Sequence, residues 1–93
     1  MEFEWDAEKQ QINLIKHDID FDDAIDAFDG RPAVESEAAS TVETRRITTA
    51  ILDDGRWVTV VWTLRSGKTR IISARRSCGT EKRAHRELHD GRD

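Results

Sequence analysis

Three β-rich runs separated by two short turn signals constrain this chain more than any other feature. Arg45–Leu52, Trp57–Leu64 and Thr69–Arg76 are rich in β-branched and aromatic residues, and Asp54-Gly55 and Ser66-Gly67 stand between them. Such dipeptides accept the positive φ of tight hairpins, so the pattern predicts an antiparallel meander. With both turns taken as two-residue loops, Val58, Val60, Trp62 and Leu64 share a face with Ile47, Ile51 and Ile71, and helices should cover that face. The opposite face then carries Arg46, Thr48, Thr59, Thr63, Arg70 and Arg76 among Trp57, Val61 and Ile72. A single bulge would exchange these assignments along a strand. The third run brings Arg70, Arg75 and Arg76 onto one short strand, where guanidiniums are costly to bury and well shaped to hold phosphate.

Helical signals precede the meander. Asp6 is placed to cap a helix running to about His17, with Glu8 in its first turn and Lys16 and His17 in its last, as the helix dipole favours. Ile12 and Ile15 form its expected apolar stripe, Trp5 anchors its start, and Lys9, Asn13 and Lys16 share a polar face. Asp18 falls at the helix end, where glycine is usual. Asp20 caps a second, short helix whose apolar face is Phe21, Ala24, Ile25 and Phe28, and Gly30 and Pro32 stop it. Residues 33–42 are poorly patterned and read as a short edge strand or a loop. After the meander, Ser77 or Thr80 can cap a last helix, roughly Glu81–Leu88, with little apolar surface beyond Ala84 and Leu88. The expectation is one α+β domain over residues 1–93. In it two N-terminal helices pack on a three- to four-stranded antiparallel sheet, and a C-terminal helix follows.

The formal net charge of −4 hides a polarity. Residues 1–43 hold three basic and thirteen acidic side chains, or −10, whereas residues 44–93 hold twelve basic and six acidic, or +6. Within 65–86 there are eight basic residues against Glu81 alone, or +7, which points to a polyanion partner. A single cysteine, Cys78, excludes an intramolecular disulfide and offers no metal-ligand spacing, so a reducing cytoplasm is expected. No apolar run is long enough for a membrane span, and the start does not read as a signal peptide.

Phe3-Glu4-Trp5-Asp6, then Lys9, Asn13, Lys16-His17, Ile19 and Phe21, and later Arg70-Ile71-Ile72-Ser73-Ala74-Arg75-Arg76 followed by Glu81, resemble the BrnT toxin family over nearly the whole chain. The resemblance implies a RelE-like fold and an endoribonuclease that cleaves RNA without metal or cofactor and so inhibits translation. It also implies a hetero-oligomer with a neutralising antitoxin of ribbon-helix-helix, BrnA-like type. Three positions depart from the family pattern. Asp18 stands for the glycine after Lys16-His17, Ala50 for a strand glycine, and His85 for a tyrosine of the last helix.

Cleavage of RNA by its own 2′-hydroxyl needs a base, an acid for the leaving 5′-oxygen and cations for the phosphorane. Histidine suits proton transfer and arginine suits phosphate. The candidate catalytic residues are therefore Arg75 as phosphate clamp, His17 as base, Lys16 as a phosphate-orienting cation, and His85 and Glu81 as further acid–base groups. Lys9, Arg45, Arg46, Trp57, Arg70 and Arg76 are the candidate RNA contacts, with Trp57 able to stack on a base. Each has a plainer reading: Arg75 in an ion pair with the acidic N-terminal half, His17 as a helix cap, Lys16 solvated, Glu81 as a helix-start carboxylate. The alternative for the whole chain is a catalytically silent module whose basic sheet face docks an acidic protein.

Overall fold

The computed structural model describes residues 1–38 and 44–90. The meander is present as β3 (Arg45–Ile51), β4 (Trp57–Arg65) and β5 (Lys68–Arg76). Ser66-Gly67 is a two-residue turn between paired Arg65 and Lys68, with φ of 51° and 78°. The first hairpin differs from expectation. Leu52 N–H donates to Arg56 O and Gly55 N–H donates to Leu52 O, both at 2.9 Å, and Gly55 takes φ of 87°. The loop is therefore Asp53-Asp54-Gly55, one residue longer, and β3 slips by one position against β4. Thr48 lies opposite Val60 and Ala50 opposite Val58, which turns Ile47 and Ile51 to the other face.

A bulge supplies the second correction. Val61 pairs with Ser73 and Trp62 with Ile71, leaving Ile72 unpaired. Ile71 and Ala74 consequently both reach the core, and Arg76 shares the face of Val58. Arg46, Thr48 and Arg76 thus leave the face on which Thr59, Thr63, Arg70, Trp57 and Val61 remain.

The sheet has five strands in the order β1-β5-β4-β3-β2 and is mixed, in place of the expected three- to four-stranded antiparallel arrangement. β1 (Phe3–Glu4) runs parallel to β5, and β2 (Ala33–Ala38) forms the other edge, antiparallel to β3. Residues 39–42 of the poorly patterned stretch lie outside the described residues.

Helix α1 (Ala7–His17) begins where Asp6 accepts the N–H groups of Glu8 and Lys9 and ends on Asp18 at φ of 57°. Its packing reverses the expected amphipathicity. Ile12 and Ile15 are 54% and 85% exposed, while Asn13 is 5% exposed. The Asn13 amide donates to Ile19 O at 2.9 Å and accepts Ala74 N–H at 3.1 Å, standing in for a strand neighbour beyond the point where β1 leaves the edge of β5. Gln10 joins Trp5 Nε1 at 2.9 Å to the capping carboxylate of Asp20 at 2.8 Å, tying the starts of both helices together. Helix α2 (Phe21–Ala24) tightens into a 3₁₀ turn over Ile25–Phe28. Ile19, Phe21 and Ala24 pack on Ala50, Val58, Val60, Trp62, Ile71 and Ala74. Each large apolar side chain buried there contributes roughly 2 kcal/mol.

Helix α3 (Gly79–His89) begins at Cys78 as N-cap, not at Ser77 or Thr80. It lies over the second sheet face, because Glu81 reaches Thr59 and His85 packs on Trp57. Of the face expected to stand open for a partner, the part around Trp57 and Thr59 is therefore covered by the chain's own last helix.

Candidate functional site

Because Asn13 is pinned to the edge of β5, the residues one turn to either side of it are fixed against the same strand. Lys9 and Lys16, with His17, therefore face Ile72 and Ser73 across a cleft of ≈ 160 Å³. The bulge supplies the opposite wall: Ile72 is its unpaired residue and Ser73 follows it in the ladder, and both remain half-buried. The cleft places two ammonium groups, a half-buried imidazole and a hydroxyl around one solvent-reachable space. This set can neutralise a phosphate and exchange a proton with a neighbouring hydroxyl.

Arg75, Glu81 and His85 assemble elsewhere, between β5 and α3. Two nitrogens of the Arg75 guanidinium donate to the two Glu81 oxygens at 2.9 and 2.8 Å. Glu81 also accepts Cys78 N–H at 2.8 Å and the Thr59 hydroxyl at 2.9 Å. These donors, Arg75 foremost, hold the Glu81 carboxyl down at about 2 against the opposing effect of burial. The same hydrogen bonds push the Arg75 guanidinium up. Glu81 is thus a fixed negative charge, unsuited to carrying protons near neutral pH. The partner of Arg75 is this helix-start carboxylate rather than one from the acidic N-terminal half. His85 is 6% exposed, with Nε2 placed to donate to Pro32 O at 3.1 Å and its ring edge-on to Trp57 at 5.0 Å. The cleft that holds Lys9, Lys16 and His17 includes none of these three residues.

The expected RNA contacts also divide. Arg46 pairs with Glu35 at 2.7 Å and Arg70 with Glu4 at 3.3 Å, while Arg45 opens β3 half-buried. Arg76 and Trp57 line a cavity of ≈ 330 Å³ at the end of the sheet, together with Asp54, Gly55, Arg56, Ser77 and Lys82. Lys82 and Arg86 lie over the Trp57 ring at 5.9 and 5.4 Å. Sequence reasoning singled out neither Ser73 as a cleft residue nor the Lys82–Arg86 pair around Trp57. The spacing of Lys82 and Arg86, one turn apart on α3, is the signal that could have suggested the latter. Among the described residues, no group of three or more His, Cys, Asp or Glu side chains is placed to hold a metal ion. Among them, too, no helix is long and apolar enough to cross a membrane.

The fold has a solved counterpart. The crystal structure of the Brucella abortus ribonuclease toxin BrnT superposes with a TM-score of 0.66 at 22% identity, covering 84% of this chain and 97% of that one. No curated protein sequence is significantly similar. Residues 5–81 match the family described as "Ribonuclease toxin, BrnT, of type II toxin-antitoxin system". That match takes in α1, strands β2 to β5 and the start of α3, and so both walls of the cleft between α1 and β5. The chain belongs to the BrnT family, the ribonuclease toxins of type II toxin–antitoxin systems.

Proposed function

We propose that this toxin cleaves RNA without a metal ion in the cleft between α1 and β5, using His17 as base and Lys9 and Lys16 as cations. The observation that carries the reading is the convergence of these three side chains on one space beside the Ser73 hydroxyl. His17 accepts the proton of the 2′-hydroxyl, and the 2′-oxygen attacks phosphorus. The two ammonium groups balance the charge of the phosphorane. The 5′-oxygen then leaves with a proton from Lys16, and a 2′,3′-cyclic phosphate remains on the upstream fragment. Arg75 and Glu81 act together as a strap that holds α3 on the sheet, and His85 positions Trp57.

The reading extends to kinship with RelE-like toxins, supported by a small sheet carrying helices and a basic strand end. It extends also to a ribbon-helix-helix antitoxin of BrnA-like type. Membership of a type II system implies an antitoxin, and the strongly basic second half of the chain suits an acidic segment of it. The rival reading, a silent docking module, relied on an open sheet face, and α3 lies over the part of that face around Trp57 and Thr59.

The test is the chemistry of the products. Purified toxin, freed of antitoxin and held in chelator, should leave 5′-hydroxyl and 2′,3′-cyclic phosphate ends on RNA. Products bearing 5′-phosphates, or cleavage that stops in chelator and returns with a divalent metal, would overturn the mechanism.

A further inference from the structure

The cavity at the end of the sheet shares no residue with the cleavage cleft. It forms where the β3–β4 loop, the end of β5 and the first turn of α3 meet. Its charges are unevenly matched. Arg56 is held by Asp54 at 2.7 Å, by Asp23 at 3.7 Å and by Asp18 O at 3.0 Å, so that cation is spent within the fold. Arg76 and Lys82 have no carboxylate within ion-pairing distance among the described residues. Trp57 forms the wall between β4 and α3, and its ring holds Lys82 and Arg86 by cation–π contact. An indole engaged with two cations and edge-on to His85 is better placed to orient charge than to stack on a base. Ser77 adds a hydroxyl to the lining.

Two cations outside any ion pair among the described residues, Arg76 softened only by the nearby charge of Asp54, stand with a third beside them around a polar space of ≈ 330 Å³, and this matches a singly charged phosphodiester better than a neutral base. We propose that this cavity is a phosphate subsite for the RNA strand that flanks the scissile bond, with Arg76 and Lys82 as its ligands and Arg86 as a supporting cation. The inference rests on the proposed RNA cleavage and extends it to a second, non-catalytic contact. Binding there raises affinity for long RNA and leaves the chemistry at His17 untouched.

The experiment uses the whole toxin, free of antitoxin, and a mixed-sequence 2′-O-methyl RNA oligonucleotide, which lacks the attacking hydroxyl and is not cleaved. Affinity is measured across a salt series for wild type, for Arg76→Ala/Lys82→Ala, and for Arg65→Ala as a one-charge control on the exposed end of β4. Each single-strand phosphate contact contributes about 0.7 to the slope of log affinity against log salt. The double variant should therefore bind roughly tenfold or more weakly and lose about 0.7 from the slope, the share of one phosphate, while the control matches wild type. Melting temperature shows that the variants are folded. A folded double variant with wild-type affinity and slope overturns the subsite, even where wild type cleaves RNA as proposed. A double variant that binds RNA normally but fails to bind antitoxin also overturns it, assigning the cavity to protein docking. Failure of wild type to cleave any RNA instead removes the reading on which the subsite rests.

Discussion

Replacing Glu81 with glutamine removes one charge from the junction of β5 and α3 while keeping an acceptor oxygen for Cys78 N–H or Thr59. The folded protein holds the Glu81 carboxyl at about 2, against 4.5 for an ordinary one. A carboxylate lowered in this way stabilises the fold fully above the ordinary value, and that contribution disappears as pH falls through 4.5 towards 2. At roughly 1.4 kcal/mol per unit the full shift would be worth about 3 kcal/mol. Arg75 is 37% exposed, and solvent screening brings the figure to about 2 kcal/mol. In urea unfolding at pH 7, Glu81→Gln should therefore be less stable by about 2 kcal/mol, or roughly 10 °C in melting temperature for a domain of this size. The gap between variant and wild type should narrow steadily below pH 4.5. A gap of the same size at pH 7 and pH 2.5 would refute the ionic argument and leave only lost packing.

Other consequences follow from the same geometry. Asn13→Ala leaves Ala74 N–H and Ile19 O without their partners and should cost about 1–3 kcal/mol in urea unfolding, more than Ile15→Ala on the exposed side of the same helix. Asp18→Gly relieves a left-handed residue at the end of α1 and should raise stability by about 1 kcal/mol, read as an increase in melting temperature. His17→Ala should remove the pH dependence of cleavage that a histidine base imposes, measured as the slope of log rate against pH.

The elements of this fold were legible because their signals are local. Asp6, Asp20 and Ser66-Gly67 act through the backbone beside them, and each performs as its residue type demands. The faces were harder to read, because a face depends on counting residues through a turn. Asp54-Gly55 marks a hairpin, but nothing within it says that Asp53 also belongs to the loop, and that one residue exchanged Ile47 and Ile51 for Thr48 and Ala50. The bulge at Ile72 had the same effect on Arg76. Helix α1 misled for another reason. It meets the sheet at an edge strand with unsatisfied backbone, so what it buries is the hydrogen-bonding Asn13 and not its apolar residues. Of the candidate site, Lys9, Lys16 and His17 come together because helical spacing puts them together. The separation of Arg75, Glu81 and His85 from them depended on which face α3 covers, and a helix with so little apolar surface gives no sequence signal of its side.

The central claim is that the cleft between α1 and β5 is where RNA is cut, and single-turnover cleavage in chelator tests it most directly. With wild type and His17→Ala compared at saturating enzyme, the variant should keep its melting temperature and its affinity for uncleavable RNA while its rate falls by about 10²-fold or more. A folded His17→Ala protein that cuts RNA at the wild-type rate would contradict the account and move the chemistry away from this cleft.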